Sequence, residues 1–145
     1  MSEEKTIKFE IATPERVVFK DHILQVSVPT TEGEVTILPK HSPLVSILKP
    51  GVLEIKKIDN SVEIISVSGG FLEVLLNKIT VLADTAERAE EIDLERAEEA
   101  RKKAEESIKK LRNVDASQFA SLSAQIEKEL ARSRSVKRWR NLQNK

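Results

Sequence analysis

The chain has 145 residues, 33% of them charged and 39% apolar, and its 24 basic and 24 acidic side chains cancel. This balance is too apolar for disorder and holds no apolar run long enough to span a bilayer, so one ordinary domain or two very small ones are expected, with no secretory leader. The absence of cysteine excludes disulfides, thiolate zinc sites and iron–sulfur clusters.

The first half reads as strands. Ile7, Phe9 and Ile11 alternate with Lys8 and Glu10, and Leu24, Val26 and Val28 alternate with Gln25 and Ser27. Further strands are expected at Val35–Leu38, Leu44–Leu48, Val52–Ile58, Val62–Val67, Phe71–Leu76 and Ile79–Leu82. Turn residues separate them at Thr13-Pro14-Glu15, Glu32-Gly33-Glu34, Pro50-Gly51, Asp59-Asn60 and Asn77-Lys78. Eight or more short strands at this spacing predict an antiparallel sandwich or flattened barrel. A parallel sheet would need crossover helices, for which there is no room.

Composition changes abruptly after Gly70. All four glycines and all five prolines lie at or before that residue, whereas ten alanines follow from Ala83 onward. Leu94, Ala97, Ala100, Ala104, Ile108 and Leu111 recur at helical spacing, and Phe119, Leu122, Ile126, Leu130, Ser133 and Val136 repeat it. Asp93 is the expected N-cap of the first helix, with Asp84 and Glu87 offering an earlier start. Asn113-Val114-Asp115 breaks the pattern, and Asp115 with Gln118 forms a capping box for the second helix. The prediction is therefore an α+β chain: a β-sandwich domain over 1–86, then an antiparallel two-helix hairpin over 87–145, with helices at about 94–112 and 116–142. The alanine seam lets the two backbones approach, while Phe119, Leu122 and Ile126 supply bulk. So little apolar area predicts a marginal hairpin, able to change conformation or partner.

Neutral total charge hides a segregation. Thr85 to Glu99 holds seven acidic residues and two arginines, and Arg132 to Lys145 holds six basic residues and no acidic one. The two ends should attract each other in a folded hairpin. No catalytic constellation stands out. His22 and His41 are far apart, Ser66-Val67-Ser68-Gly69-Gly70 lacks the glycine that a nucleophile elbow needs before its serine, and no P-loop or dinucleotide fingerprint occurs. Glu98-Glu99 reads as solvated helix face. The expectation is a non-enzyme.

Several segments, in order, carry a resemblance. Glu32-Gly33-Glu34-Val35-Thr36-Ile37-Leu38-Pro39-Lys40-His41-Ser42-Pro43-Leu44, Ser68-Gly69-Gly70-Phe71-Leu72-Glu73-Val74, Thr80-Val81-Leu82-Ala83-Asp84 and Ile92-Asp93-Leu94-Glu95-Arg96-Ala97 are similar to motifs of the epsilon subunit of F-type ATP synthases. The resemblance covers about Ile7 to Ala104. It departs at Lys40 and Thr36, where that family commonly has glycine.

The resemblance implies a non-catalytic subunit on the central stalk of a proton-translocating complex, peripheral to the cytoplasmic face of the membrane. Its partners would be the gamma subunit, the c-ring and the catalytic beta subunits, and its mobile hairpin would inhibit ATP hydrolysis. Glu32, Glu34 and His41 would meet the c-ring or gamma; alternatively they shape a proline-punctuated loop. No cofactor is implied, but ATP is a regulatory ligand in some bacterial members, and that motif maps onto Glu87, Asp93 and Arg96, with Lys128 and Arg132 supplied by the second helix. For these the plain alternatives are an N-cap at Asp93 and helix-surface ion pairing at Arg96. Lys137-Arg138-Trp139-Arg140 suits a protein or membrane surface better than nucleic acid. Competing functional readings are a stand-alone nucleotide-sensing switch and a sandwich adaptor with a nucleic-acid-binding tail.

Overall fold

A computed structural model describes residues 5–111 and 116–144. Among the described residues seven strands are formed: β1 (Ile7–Ala12), β2 (Val17–Thr30), β3 (Gly33–Ile37), β4 (Leu44–Ile47), β5 (Gly51–Lys57), β6 (Val62–Leu75) and β7 (Lys78–Arg88). A 3-10 turn at Ala89–Glu91 leads to helices α1 (Leu94–Lys109) and α2 (Ala116–Gln143). The strands run in the order β1-β7-β6-β5-β2-β3, β4 adds to β6, and β1 also pairs with β2. That last pairing closes the sheet on itself into a flattened barrel.

Two strand-level expectations are corrected. Val62 to Leu75 is one strand, so seven strands replace the eight or more that the turn signals suggest. The β1–β7 pair is parallel, with Lys8 opposite Lys78 and Ala12 opposite Leu82. No crossover helix is needed there, because the whole intervening sandwich makes the connection. The remaining pairs are antiparallel.

Alternation places the core. Ile7, Phe9, Ile11, Ile23, Val26, Val28, Leu53 and Ile55 point inward and are buried, while their sequence neighbours, apart from buried Pro29, are more exposed. Burial of such side chains is worth roughly 1.5–3 kcal/mol each. Phe9 and Phe19 pack with ring centroids 6.0 Å apart.

The alternation changes phase within β6. Ile65 and Val67 point to the core before Gly69-Gly70, and Leu72 and Val74 after it. Gly69 has φ +68° and Gly70 φ +108°, and a Cβ on Gly70 would overlap the Leu82 carbonyl oxygen. Only glycine permits both the backbone and the close approach. The outer face of β6 is thereby split in two. Its first half, with Ile64 and Ser66, is buried outside the main core, and its second half, with Phe71, Glu73 and Leu75, is exposed.

The hairpin packs on the sandwich, α2 contacting β5, β6 and α1. Asp93 caps α1, its Oδ1 accepting from the Arg96 N–H at 3.2 Å, while the earlier start at Asp84 and Glu87 belongs to β7. Asn113, Val114 and Asp115 lie outside the described residues. On α1, Ala97 and Ala104 are buried; on α2 the buried set is Glu129, Ala131, Ser133, Ser135 and Val136. This corrects the expectation for Phe119, which is exposed rather than supplying bulk, with Leu122 and Ile126 only partly covered. Helical periodicity marks one stripe, whereas α2 is gripped further along and on two sides. The closest packing therefore falls on small residues.

Candidate docking face and hairpin clamp

On the uncovered part of the sandwich, register lines up apolar side chains across strands. Ile47 of β4 is opposite Phe71 of β6, and Phe71 is opposite Leu82 of β7. Their exposures are 55%, 57% and 56%. Val45, one outward position along β4, is still more open. Cavities of about 260 and 300 Å³ flank Phe71: Val45, Glu73 and Thr80 line one, Ala12 and Pro14 the other, with Leu82 common to both. A contiguous exposed apolar row of this kind marks an interaction site. Sequence reading missed Val45, Ile47, Phe71 and Leu82 as site residues. A signal existed, since Leu44–Leu48 and Phe71–Leu76 carry apolar residues on both faces of their strands.

Of the predicted residues, Glu32 lies in the turn before β3, an edge strand, Glu34 lies on β3 itself, and His41 lies in the loop that follows it. Buried Thr30 builds the preceding turn, donating to the Gly33 carbonyl at 2.6 Å and accepting from the Glu32 N–H at 3.2 Å. Both glutamates are exposed, Glu32 in that turn and Glu34 at an outward position of β3. Beyond β3, the His41 N–H donates to the Leu38 carbonyl at 3.2 Å, and its Nδ1 lies 2.7 Å from the Ser42 carbonyl oxygen. Lys40 adopts φ +69° in that turn. This is a position at which glycine would sit without strain, and it is where the resemblance departs from a common glycine.

Of the remaining predicted residues, the structure brings Glu87 and Arg132 together. Arg132 Nε stands 3.1 Å from Glu87 Oε1, and its Nη1 stands 2.9 Å from Oε2 of buried Glu129. Burial works against the charged guanidinium, but Glu129 and Glu87 outweigh it and hold the Arg132 pKa above its ordinary value. Lys128 and Glu87 line a cleft of about 280 Å³ with Arg16 and Asp84. Asp93 and Arg96 stand apart from that cleft, at the start of α1.

The basic end of α2 meets acids on both neighbours. Arg138 reaches Glu54 of β5 at 3.0 Å, which raises its pKa, and Lys137 lies 3.5 Å from Glu98 of α1. Glu98 is held below the ordinary carboxylate range, first by its hydrogen bond from Arg101 and then by charge, Lys137 included. The expected attraction between acidic and basic stretches is thus shared with the sandwich.

A closed seven-stranded sandwich carrying a helical hairpin, with one apolar face left open, defines the class. Residues 6–89 match the family described as ATP synthase, Delta/Epsilon chain, beta-sandwich domain, and the chain belongs to that family. Within it the chain is of the epsilon type. It is 51% identical over 104 residues to the ATP synthase epsilon chain of Herpetosiphon aurantiacus, covering 71% of this chain and 75% of that one. It is 48% identical over 107 residues to that of Pelotomaculum thermopropionicum, covering 74% and 79%. The fold also matches a chain in a structure of the Euglena gracilis mitochondrial ATP synthase (OSCP/F1/c-ring) with TM-score 0.77 and 22% identity, covering 88% of this chain and 79% of that one.

Proposed function

We propose that this chain is a central-stalk subunit that couples rotation of the c-ring to the catalytic head, and that its hairpin restrains ATP hydrolysis. The observation that carries the reading is the open apolar row of Ile47, Phe71 and Leu82 on a rigid sandwich. Three large apolar side chains held in register form a preorganised dock, because no side chain has to be reordered to present them. The gamma subunit is the proposed occupant. Glu32, Glu34 and His41, in the turn before β3, on its edge and in the loop after it, are the proposed contact with the c-ring. No helix among the described residues is long and apolar enough to cross a membrane, so membrane association is proposed to come through the complex, at its cytoplasmic face.

The hairpin is suited to a regulatory role because its hold on the sandwich relies on small side chains and ion pairs. Buried Ser133 Oγ makes no hydrogen bond among the described residues, an added cost to the docked state. Once released, the basic end of α2 would be free to meet acidic surfaces of the catalytic beta subunits. A second reading, favoured by the cleft that Glu87 shares with Lys128 beside Arg132, makes ATP a regulatory ligand. Arg132 would then exchange its carboxylate partners for phosphate, while Asp93 and Arg96, which stand apart from the cleft, would take no part unless the start of α1 moved toward it.

Phe71→Asp tests the dock. It should abolish co-purification of gamma while leaving thermal unfolding of the isolated chain unchanged; undiminished gamma binding would sink the assignment. Ending the chain after Leu111 should raise ATP hydrolysis by the assembled complex, and an unchanged rate would count against restraint by the hairpin. Calorimetric titration of the full chain with ATP decides the second reading, since it requires heat that Arg132→Ala removes.

A further inference from the structure

The two helices of the hairpin differ in what they rest on. α2 packs on β5, β6 and the 3-10 turn, and three of its basic side chains reach acids on its neighbours. Arg132 stands 3.1 Å from Glu87 of β7, Arg138 3.0 Å from Glu54 of β5, and Lys137 3.5 Å from Glu98 of α1. α1 packs on α2 and shares no comparable contact with any strand. Among the described residues its ion pairs stay within the helix, from Arg101 to Glu98 and Glu105, or lead to Lys137. The layers are therefore sandwich, then α2, then α1.

The covered patch of sheet belongs to α2. Ile64 of β6 is opposite Glu54, so both side chains stand on one face, and Arg138 reaches Glu54 there. Ser66, the next residue on that face, is opposite Glu87, the partner of Arg132. The strand beyond them is fixed to its last residue. Arg88 Nη2 donates to the Val18 carbonyl at 3.2 Å, Nη1 stands 3.6 Å from Glu63 Oε1, and the guanidinium lies 5.7 Å from the centre of the Phe19 ring. Any pivot of the hairpin must lie after Arg88.

We infer that α1 has no hold of its own on the sandwich and stays docked only while α2 does, so that the arm beyond Arg88 is released whole. α1 is 16 residues long and buries two alanines. A helix of that length is marginal in water without packing. A form with α2 free and α1 still docked is therefore not available to the chain. The regulatory consequence rests on the hairpin's proposed restraint of hydrolysis: a partner that captures the basic end of α2 frees α1 in the same event.

The test is amide hydrogen exchange on the full chain. Ile64→Lys places a charge under α2 and leaves the surface of α1 intact. Exchange should quicken about tenfold or more in α2 and by the same factor in α1, with β1 and β2 unchanged. Glu54→Arg turns the attraction to Arg138 into repulsion at a half-buried site, and should quicken both helices severalfold. It carries the test if Ile64→Lys fails to fold. Faster exchange in α2 alone would show that α1 has its own hold, and unchanged exchange in both helices would show that α2 is not the latch. Either result overturns the inference. The full chain needs no partner for this measurement, so its outcome is independent of whether ending the chain after Leu111 raises ATP hydrolysis, which decides the regulatory reading.

Discussion

The sandwich and the hairpin are held by different physics. The sandwich encloses Phe9, Ile11, Ile23, Leu53, Ile55, Ile65 and Leu72 in one continuous core. The hairpin buries Ala97 and Ala104 on α1 and Ala131, Ser133, Ser135 and Val136 on α2, and grips the sandwich through Arg132 and Arg138. Apolar area is non-directional and insensitive to salt, whereas partly exposed ion pairs are worth little and are screened. One region is therefore built to stay fixed and present a face, the other to be held only as tightly as its charges allow.

Perturbations can break or sharpen that contrast. The largest effect should come from Phe9→Ala, which opens a cavity in the sandwich core and should cost about 3–5 kcal/mol in denaturant-induced unfolding. A loss well under that range would mean that the sandwich core is as loosely packed as the hairpin. Arg132→Ala should be smaller and local, because Arg132 is 20% and Glu87 34% exposed, which discounts the pair for solvent screening. An effect of about 1–2 kcal/mol is expected, read as faster amide exchange along α2 with unchanged protection in β5 and β6. Equal loss in the strands would show that the two regions unfold as one unit.

Lys40→Gly should act in the opposite direction. A non-glycine residue at φ +69° is strained, and relieving it should stabilise the sandwich by about 0.5–1 kcal/mol, after allowance for the greater freedom of glycine in the unfolded chain. A melting temperature that falls would place the cost of Lys40 elsewhere. The smallest effect is that of pH on Glu98. Its folded pKa is depressed below 4.5 by Arg101 and Lys137, so its contribution is complete above that value and is lost as pH falls through the folded pKa. Glu98→Gln should flatten this acid-side dependence in α1 and leave the neutral region unchanged.

Much of the fold was legible in short-range pattern. Alternation around Phe9, turn residues between strands, the cap at Asp93 and the alanine seam are local features, and each appears where local chemistry puts it. In β2 a bulge between Ile23 and Gln25 places Ile23 rather than the expected Leu24 in the core with Val26 and Val28. The apolar row was not legible, because Ile47, Phe71 and Leu82 come from three strands and meet only through register. Phe119 misled for a related reason: periodicity shows that a helix has an apolar side without showing what lies against it.

The sequence by itself determined that a glycine- and proline-punctuated β half precedes a helical arm free of both residues, and that the arm carries its acids early and its bases late. Propensity, spacing and charge are properties of neighbours along the chain. Only the tertiary structure decided which outer half of β6 the helix covers and which it leaves open, and that Arg132 and Arg138 reach the sandwich as well as their own hairpin. Those outcomes depend on the phase change at Gly69-Gly70 and on strand pairings between distant residues, so they exist only once the sheet has closed.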